Sequence, residues 1–390
     1  MTELAELDAA WLDYSDRVKA AGQSITGPDF TDDPRLRAEG YRYVGRLANL
    51  AHQIYLEFAD TARPALFRYE DDMSTFGAPN MDNNYARAML DPTGTYRVSG
   101  DISGIKELLI SVHEGEMALG KPAVLGEVAL GDLEVGEDGW LDLIVGGTQG
   151  PTNWIALQPN SSYLNIRQFV GDWEHDPIAV LDIERLDDVG PATNVTPASM
   201  AVALDRAATW VESAVSFWNM FAGGLEAMTP VNEFLPPRYA QGGADNMVHG
   251  GTKWELGPEQ ALVIEFDEPV ATYWSIQMYM LPWLTPLDAA NRMTSINDGQ
   301  VRRDEDGKIR IVMAHCDPGV ENWLDTSDLT EGLCSYRWVR ARTEPTPVAT
   351  LVDIAEVRKY LPESTPEFSS DERTAQIGKR HRGVARRFRR

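Results

Sequence analysis

Cysteine is scarce in this chain. Cys316 and Cys334 are its only two in 390 residues, too few for a disulfide scaffold, and reduced thiols are expected. The six histidines are scattered, with no His-Glu-x-x-His and no paired Cys-x-x-Cys, so no metal site is expected. No Gly-rich phosphate loop or dinucleotide fingerprint stands in a strand–turn–helix setting, and no Gly-x-Ser-x-Gly elbow occurs. A zinc or nucleotide enzyme is therefore disfavoured, and no cofactor is expected. Basic residues are also short: 35 Lys and Arg against 60 Asp and Glu give a net charge of −25. Such a surface repels phosphate backbones, so nucleic acid is excluded as a general partner. No run of eighteen apolar residues occurs, and no membrane span is expected. Met1-Thr2-Glu3-Leu4-Ala5-Glu6 lacks the basic and apolar parts of a secretory leader. The expectation is a soluble, cytoplasmic protein.

The chain is long enough for two domains or one elaborated one. Its acidity is uneven. Asp371 to Arg390 carry eight Lys and Arg against two acidic residues. A basic surface helix lying on an acidic body is the plain reading; contact with an anionic partner is the sharper one.

Leu4, Leu7, Trp11, Tyr14 and Val18 recur at helical spacing over residues 3–24, and Gly27-Pro28 breaks the pattern. A second helix is expected from about Asp33 to Ala62, ended by Pro64. His52 in that helix reads as structural. From Tyr96 the period becomes two. Strands are expected at 96–99, 107–113, 132–135, 141–145, 155–157, 162–169 and about 179–185. Thr196-Pro197 starts a long helix that runs to Gly223-Gly224. Residues 229–255 read as a long ordered excursion rich in Pro and Gly. Strands return at 261–266, 273–279, 301–303, 309–315 and 335–340. A last helix is capped near Ser369 or Ser370.

The two strand-rich stretches resemble each other. Asp138-Gly139, Asn153-Trp154 and Arg167 in the first have counterparts Asp306-Gly307, Asn322-Trp323 and Arg337 in the second, and the spacings agree to within one residue. That argues for two copies of one antiparallel unit. The expected fold is mainly β with α: two related β-sandwiches of jelly-roll type, an N-terminal helical pair and an inserted helical segment. The expected divisions are 1–75, 76–195, 196–255, 256–345 and 346–390. A cleft between the halves is a common place for a ligand.

Polar residues beside aromatics supply the candidate chemistry. Asp82, Asp172 and His315 are the candidate acids and bases. Tyr85, Arg87, Arg167, Trp274, Tyr279, Asn291 and Arg292 are the candidate substrate contacts. The plainer account pairs the arginines structurally, Arg87 with Asp172 or Arg167 with Asp82. His315 shares a strand face with Ile311 and Met313, which suits a core or rim histidine. Cys316 has no evident activator. Asp317-Pro318-Gly319 is most simply a turn.

Several of these stretches together resemble a known family. They are Asn80-Met81-Asp82-Asn83-Asn84-Tyr85-Ala86-Arg87, Tyr96-Arg97-Val98-Ser99-Gly100 and Ile166-Arg167-Gln168-Phe169 with Asp172-Trp173. In the second half they are Tyr273-Trp274-Ser275-Ile276-Gln277-Met278-Tyr279, Asn291-Arg292, Ser295-Ile296-Asn297-Asp298, Asp317-Pro318-Gly319 and Asn322-Trp323-Leu324. The chain is similar over residues 75–190 and 255–345 to the domain of unknown function 1214, often found beside the related domain 1254. The resemblance implies two β-sandwiches with a helical insertion, and no chemistry. The N-terminal helical pair stands where the commoner two-domain members carry other sequence.

The functional expectation is a protein that binds a hydrophobic small molecule and acts on it by acid/base chemistry of hydrolase or lyase type, without metal or nucleotide, in lipid, steroid-like or xenobiotic catabolism. A non-catalytic carrier and a structural or assembly protein are the alternatives. A homo-oligomer is a possible state.

Overall fold

The computed structural model describes residues 2–25, 31–150, 152–239 and 246–389. The Gly27-Pro28 break lies outside them. The chain forms two compact units. Unit 1 takes Met1–Gly77, Asn84–Gln168 and Ile178–Phe221; unit 2 takes Ala78–Asn83, Phe169–Pro177 and Ala222–Arg390. Compactness thus groups the segments differently from the five linear divisions, because short stretches from the middle of the chain join unit 2.

Helix α1 (Glu3–Ser24) is capped by Thr2, whose hydroxyl accepts from the Ala5 N–H. Helix α2 (Pro34–His52) has proline in its first turn, and Asp33 accepts from the Arg35 and Leu36 N–H groups. It does not run to residue 62. A π-helical turn, Gln53–Glu57, closes it. Helix α3 (Pro197–Met228) runs past Gly223-Gly224. Each glycine costs about 1 kcal/mol in a helix interior, and the following Leu225-Glu226-Ala227-Met228 are good helix formers that carry the turn on.

Unit 1 is a sandwich of two four-stranded sheets. One has the order β1 (Asn83–Met89), β7 (Tyr163–Phe169), β3 (Glu107–His113), β4 (Val124–Ala129); the other β6 (Trp154–Ile155), β5 (Trp140–Gly146), β2 (Thr95–Asp101), β8 (Val180–Arg185). Leu108, Ile110, Val112, Leu164 and Ile166 of the first sheet pack with Val98, Leu141, Leu143, Val145 and Ile183 of the second. The strand expected at 132–135 is instead a 3-10 turn, Leu130–Asp132, after β4. Asp132 accepts from the Ala129 N–H and so ends the strand there.

Unit 2 repeats the plan. One sheet has the order β13 (Thr285–Pro286), β12 (Tyr273–Met280), β17 (Glu331–Val339), β10 (Met247–Glu255), β9 (Arg238–Tyr239), with β14 (Ser295–Asn297) also on β12. The other has the order β16 (Trp323–Asp325), β15 (Lys308–Ala314), β11 (Gln260–Asp267), β18 (Val348–Asp353). Trp274 and Trp338 of the first sheet pack against Phe266 of the second. The excursion expected over 229–255 therefore holds the nine-residue strand β10. Residues 301–303 form no strand. There the Asn322 side chain accepts from the Arg302 N–H and donates to the Arg302 carbonyl, satisfying the backbone a partner strand would have served.

Apart from β9 and β14, which have no counterpart in unit 1, strand order is the same in the two units. β6-β5-β2-β8 corresponds to β16-β15-β11-β18, and β1-β7-β3-β4 to β10-β17-β12-β13. The short strands β6 and β16 both pair in parallel with their neighbours. The Asn-Trp pairs do the same work in each. Asn153 donates to the carbonyls of Glu134 and Asp142, and Asn322 to those of Arg302 and Arg310. The Trp154 indole donates to the Gly146 carbonyl, and that of Trp323 to the Ala314 carbonyl. Gly139 and Gly307 turn the preceding hairpins at φ of 80° and 79°, a region open to glycine at little cost.

Helix α4 (Ser370–Phe388) opens with a capping box between Ser369 and Glu372. Its arginines are spent within unit 2. Arg373 pairs with Asp317, Arg382 with Glu174, and Arg386 donates to the Trp173 and Asp176 carbonyls. Arg373, Arg380 and Arg387 are buried, and Val384 and Phe388 join a core cluster, so the helix is a packed part of unit 2 where a basic surface helix was expected. Among the described residues no helix is long and apolar enough to cross a membrane.

Candidate functional site

Alternation on the first sheet of unit 1 separates two faces. Leu164 and Ile166 of β7, Ala88 of β1 and Leu108, Ile110 and Val112 of β3 face the sandwich core. The opposite face carries Tyr85 and Arg87, Tyr163, Asn165 and Arg167, Ser111 and His113, with Glu127 of β4 across from Ser111. An outer sheet face is ordinarily solvated. Here Arg87, His113, Ser111 and Asn165 are all buried.

The cover is irregular chain between the π-helical turn and β1. Phe67 exchanges two backbone hydrogen bonds of 2.9 Å with Arg87, which pins the segment against the edge of β1. Tyr69 and Glu70 follow directly. Tyr69 packs edge-on to Tyr85 at 5.7 Å and donates to Asn165 at 3.3 Å. The π-helical turn contributes Tyr55, whose hydroxyl lies in the field of Glu116 and Arg87.

Beside Arg167 the cluster has three ionisable centres: the Arg87–Glu116 pair, His113 and Glu70. Arg87 is paired with Glu116 at 2.5 Å, and its guanidinium lies 3.6 Å over the Tyr163 ring. His113 stacks on the same ring at 4.8 Å and lies 2.9 Å from the Ser111 hydroxyl. Burial, with the Arg167 and Arg87 charges added, pushes the His113 pKa down to about 3, so the imidazole is neutral. Glu70 moves the other way. Burial raises it to about 8 although Arg167 and the Tyr69 hydroxyl oppose the rise, so it holds its proton at neutral pH.

Arg167 is the odd member. Burial works against its charge, and the neighbouring Tyr69, Tyr85, Glu127 and Glu70 more than compensate, leaving it a firm cation. Yet its Nη1 is buried and makes no hydrogen bond to any described residue. A buried donor left unmade costs about 1–3 kcal/mol, more when charged. This face therefore keeps a guanidinium N–H available, beside a protonated carboxyl and two phenols.

Next to Tyr55 in the π-helical turn, Leu56 lines a second feature of unit 1. This is an open groove of about 640 Å³ formed with Leu7, Trp11, Leu12, Met200 and Leu204. Its volume lies in the usual range for small-molecule sites.

Three residues expected to contact substrate, Tyr85, Arg87 and Arg167, thus meet in one cluster. The other seven candidates lie in unit 2. Asp82 is fully buried. It accepts from the Trp173 indole at 2.7 Å, the Asn297 amide at 2.8 Å and the Tyr273 hydroxyl at 2.5 Å. A carboxylate with that many fixed donors anchors chain segments. Asp172 caps a surface turn by accepting from the Glu174 and His175 N–H groups, and it lies 2.8 Å from the His175 ring. Burial raises its pKa, but the bonds from His175 and Glu174 overcome this and hold it below the usual range. Its partner is His175, and that of Arg87 is Glu116, which replaces the Arg87–Asp172 pairing expected from sequence. The donors on Asp82 replace the Arg167–Asp82 pairing in the same way.

His315 is held between Thr326 and the Leu256 carbonyl. Trp274 is core and donates to Glu268. Asn291 is an exposed turn residue bonded to Asp288. Arg292 bridges Asp325 and Asp328. Tyr279 donates to the Pro79 carbonyl and accepts from Arg337.

Tyr69, Glu70, His113, Glu116 and Tyr163 were not singled out from sequence. One signal was present: Tyr163, Asn165 and Arg167 alternate with Leu164 and Ile166, so the polar members share a face. Glu70 and Glu116 sit in irregular chain, where sequence spacing carries no direction.

The model of the family described as "Protein of unknown function (DUF1214)" matches residues 244–337, and the chain is similar to that family over this stretch. A crystallised protein from Burkholderia cenocepacia is 29% identical with a TM-score of 0.84, over 91% of this chain and 99% of that one. It shares the fold. The VPA0106 protein from Vibrio parahaemolyticus is 12% identical with a TM-score of 0.45, over 80% of this chain and 98% of its own. No curated protein matches the chain.

Proposed function

We propose that unit 1 binds a small molecule on the buried polar face of the β1-β7-β3-β4 sheet, with Arg167 holding a carbonyl or carboxylate oxygen of the ligand. The observation that carries this reading is the buried, unpartnered Nη1 of Arg167. Leaving that one N–H unmade costs stability, and a ligand oxygen would recover it. The apolar groove at Leu7, Trp11, Leu56 and Met200 supports a hydrocarbon-rich ligand, because it lies one residue from Tyr55 of the cluster.

On this reading the protein is a cofactor-independent acid/base enzyme acting on hydrophobic compounds. Glu70, with its proton retained to about pH 8, is the acid. The neutral His113 beside Ser111 is placed to hydrogen-bond a ligand hydroxyl or amide, its lowered pKa making it a weak base. Catalytic work thus moves from Asp82, Asp172 and His315 to the unit 1 cluster. We further propose that the two units arose by duplication, which their common strand order supports, and that the protein is soluble and cytoplasmic.

The test is native mass spectrometry of freshly purified wild type and Arg167→Met, each compared with its denatured mass. A discrete mass on the wild type that the variant lacks is the expected result, and the same spectrum gives the oligomer. Equal ligand occupancy in both proteins would remove Arg167 from the site.

A further inference from the structure

β7 and β17 hold the same place in their units, and each carries an arginine at the same point, Arg167 and Arg337. Both lie on the face turned from the sandwich core. Leu164 and Ile166 point inward in β7, as Tyr336 and Trp338 do in β17, where Trp338 stacks on Phe266. Chain covers both faces, residues 67–70 in unit 1 and 78–82 in unit 2. They differ in whether that cover reaches the arginine, as it does in unit 2. Ala78–Asp82 lies along the face, and Arg337 donates to the Ala78 carbonyl at 2.6 Å and to the Tyr279 hydroxyl at 2.7 Å. Tyr279 donates to the Pro79 carbonyl at 3.0 Å, as does the Gln277 amide at 3.3 Å. The Gln277 oxygen accepts from the Met81 N–H at 3.1 Å. The occupant of the unit 2 face is a short stretch of amide backbone. In unit 1 the corresponding arginine keeps Nη1 without a partner.

We propose that the ligand of unit 1 carries a neutral secondary amide, as an N-acylated amine or short apolar peptide does. Its carbonyl would take on Arg167 the place that the Ala78 carbonyl takes on Arg337. This rests on the site assigned above and narrows its ligand class. Charge points the same way. Arg87 is already matched by Glu116, and Arg167 stands in the field of Glu127. A ligand carboxylate would bring a third negative charge beside Glu116 and Glu127, whereas an amide carbonyl accepts from the guanidinium without that repulsion. Its N–H would find an acceptor among Asn165 and Ser111 on the face and Tyr69 in its cover.

The experiment is calorimetric titration of the full chain with three probes sharing one tail: N-methyldecanamide, decanoate and decan-1-ol. Arg167→Met and Arg167→Lys are run alongside, with their folding checked by circular dichroism. The amide is expected to bind wild type at least tenfold tighter than the other two, to lose at least tenfold in Arg167→Met, and to recover part of it in Arg167→Lys. Decanoate binding as tightly as the amide, with the same loss in Arg167→Met, would overturn the amide class and leave the site standing. Binding of every probe unchanged by both variants, or no binding of any, would overturn the site and the class together.

Discussion

Truncating Asp82 to Ala separates an anchoring role from a catalytic one. The carboxylate is fully buried, with two donors on Oδ1 and one on Oδ2. Removing it does not orphan all three equally. Tyr273 keeps Asn80, and Asn297 keeps the Val170 and Gly171 carbonyls. Among the described residues the Trp173 indole has no other acceptor. One buried donor left unmade costs about 1–3 kcal/mol. Arg380 also loses the nearby charge that supports it. Burial already lowers its pKa to about 10, with Asp82 and Asp288 opposing the drop. Removing one member of a buried charged set costs about 3–5 kcal/mol, so about 4 kcal/mol is expected for Asp82→Ala. Asp82→Asn keeps the shape and loses the charge, so it should fall near half of that. The assay is urea unfolding followed by near-ultraviolet circular dichroism, which reads Trp173 and Tyr273 in place. The midpoint of the unit 2 transition should drop with its slope unchanged. An unchanged midpoint together with lost ligand turnover would refute the anchor and return Asp82 to catalysis.

The pH dependence of unit 1 carries two opposed contributions. Glu70 has a folded pKa of about 8 against 4.5, so its contribution is present below pH 4.5 and lost as pH rises to 8. His113, at about 3 against 6.5, contributes above pH 6.5 and loses that as pH falls to 3. In thermal melts from pH 4 to 9, Glu70→Gln should therefore gain on wild type as pH rises from 5 to 8; parallel curves would count against a protonated Glu70. Arg167→Met removes one unmade donor but also a charge that Tyr69, Tyr85, Glu127 and Glu70 support, so the two effects offset and the net change should stay within about 2 kcal/mol in a denaturant series; a larger loss would mean that Arg167 is structural. Ending the chain at Phe368 removes α4 from Met81, Val170, Trp173, Ala289 and Ala290, and should give a protein that binds a hydrophobic dye and melts without a sharp transition. Gly307→Ala meets no neighbouring atom but sits at φ +79°, so its cost is backbone strain alone, about 1 kcal/mol by urea midpoint.

The strands were legible wherever an apolar residue had to alternate with a polar one. Thus 107–113 and 162–169 are found nearly in place as β3 and β7. The alternation of Gly250, Gly251 and Thr252 with few large apolar side chains hid β10, since a strand recognised by packing gives little signal when glycine holds its middle. The site was half legible for a related reason. Tyr85, Arg87 and Arg167 announce themselves as polar residues on strands. Their partners Glu70 and Glu116 come from irregular chain whose direction tertiary contacts decide. Asp82 looked like chemistry because an acid among asparagines and aromatics reads alike whether it meets a substrate or, as here, three fixed donors.

Unit 2 is assembled from widely separated parts of the message. Its Asp82 hub needs Asn80 and Asp82 from the first quarter of the chain, Trp173 from the middle, and Tyr273 and Asn297 from later still. Arg380 and Arg387 of the last helix then close over Trp173 at 4.5 and 4.4 Å. On a ribosome, the residues of the hub wait for some two hundred more to be made, and the indole waits for its two guanidinium lids until α4 has left the exit tunnel. No single cut in the gene yields unit 2 intact, since a fragment beginning at Ala222 lacks both the carboxylate and the tryptophan. Closure of α4 over Trp173 therefore follows the synthesis of every other part of the hub.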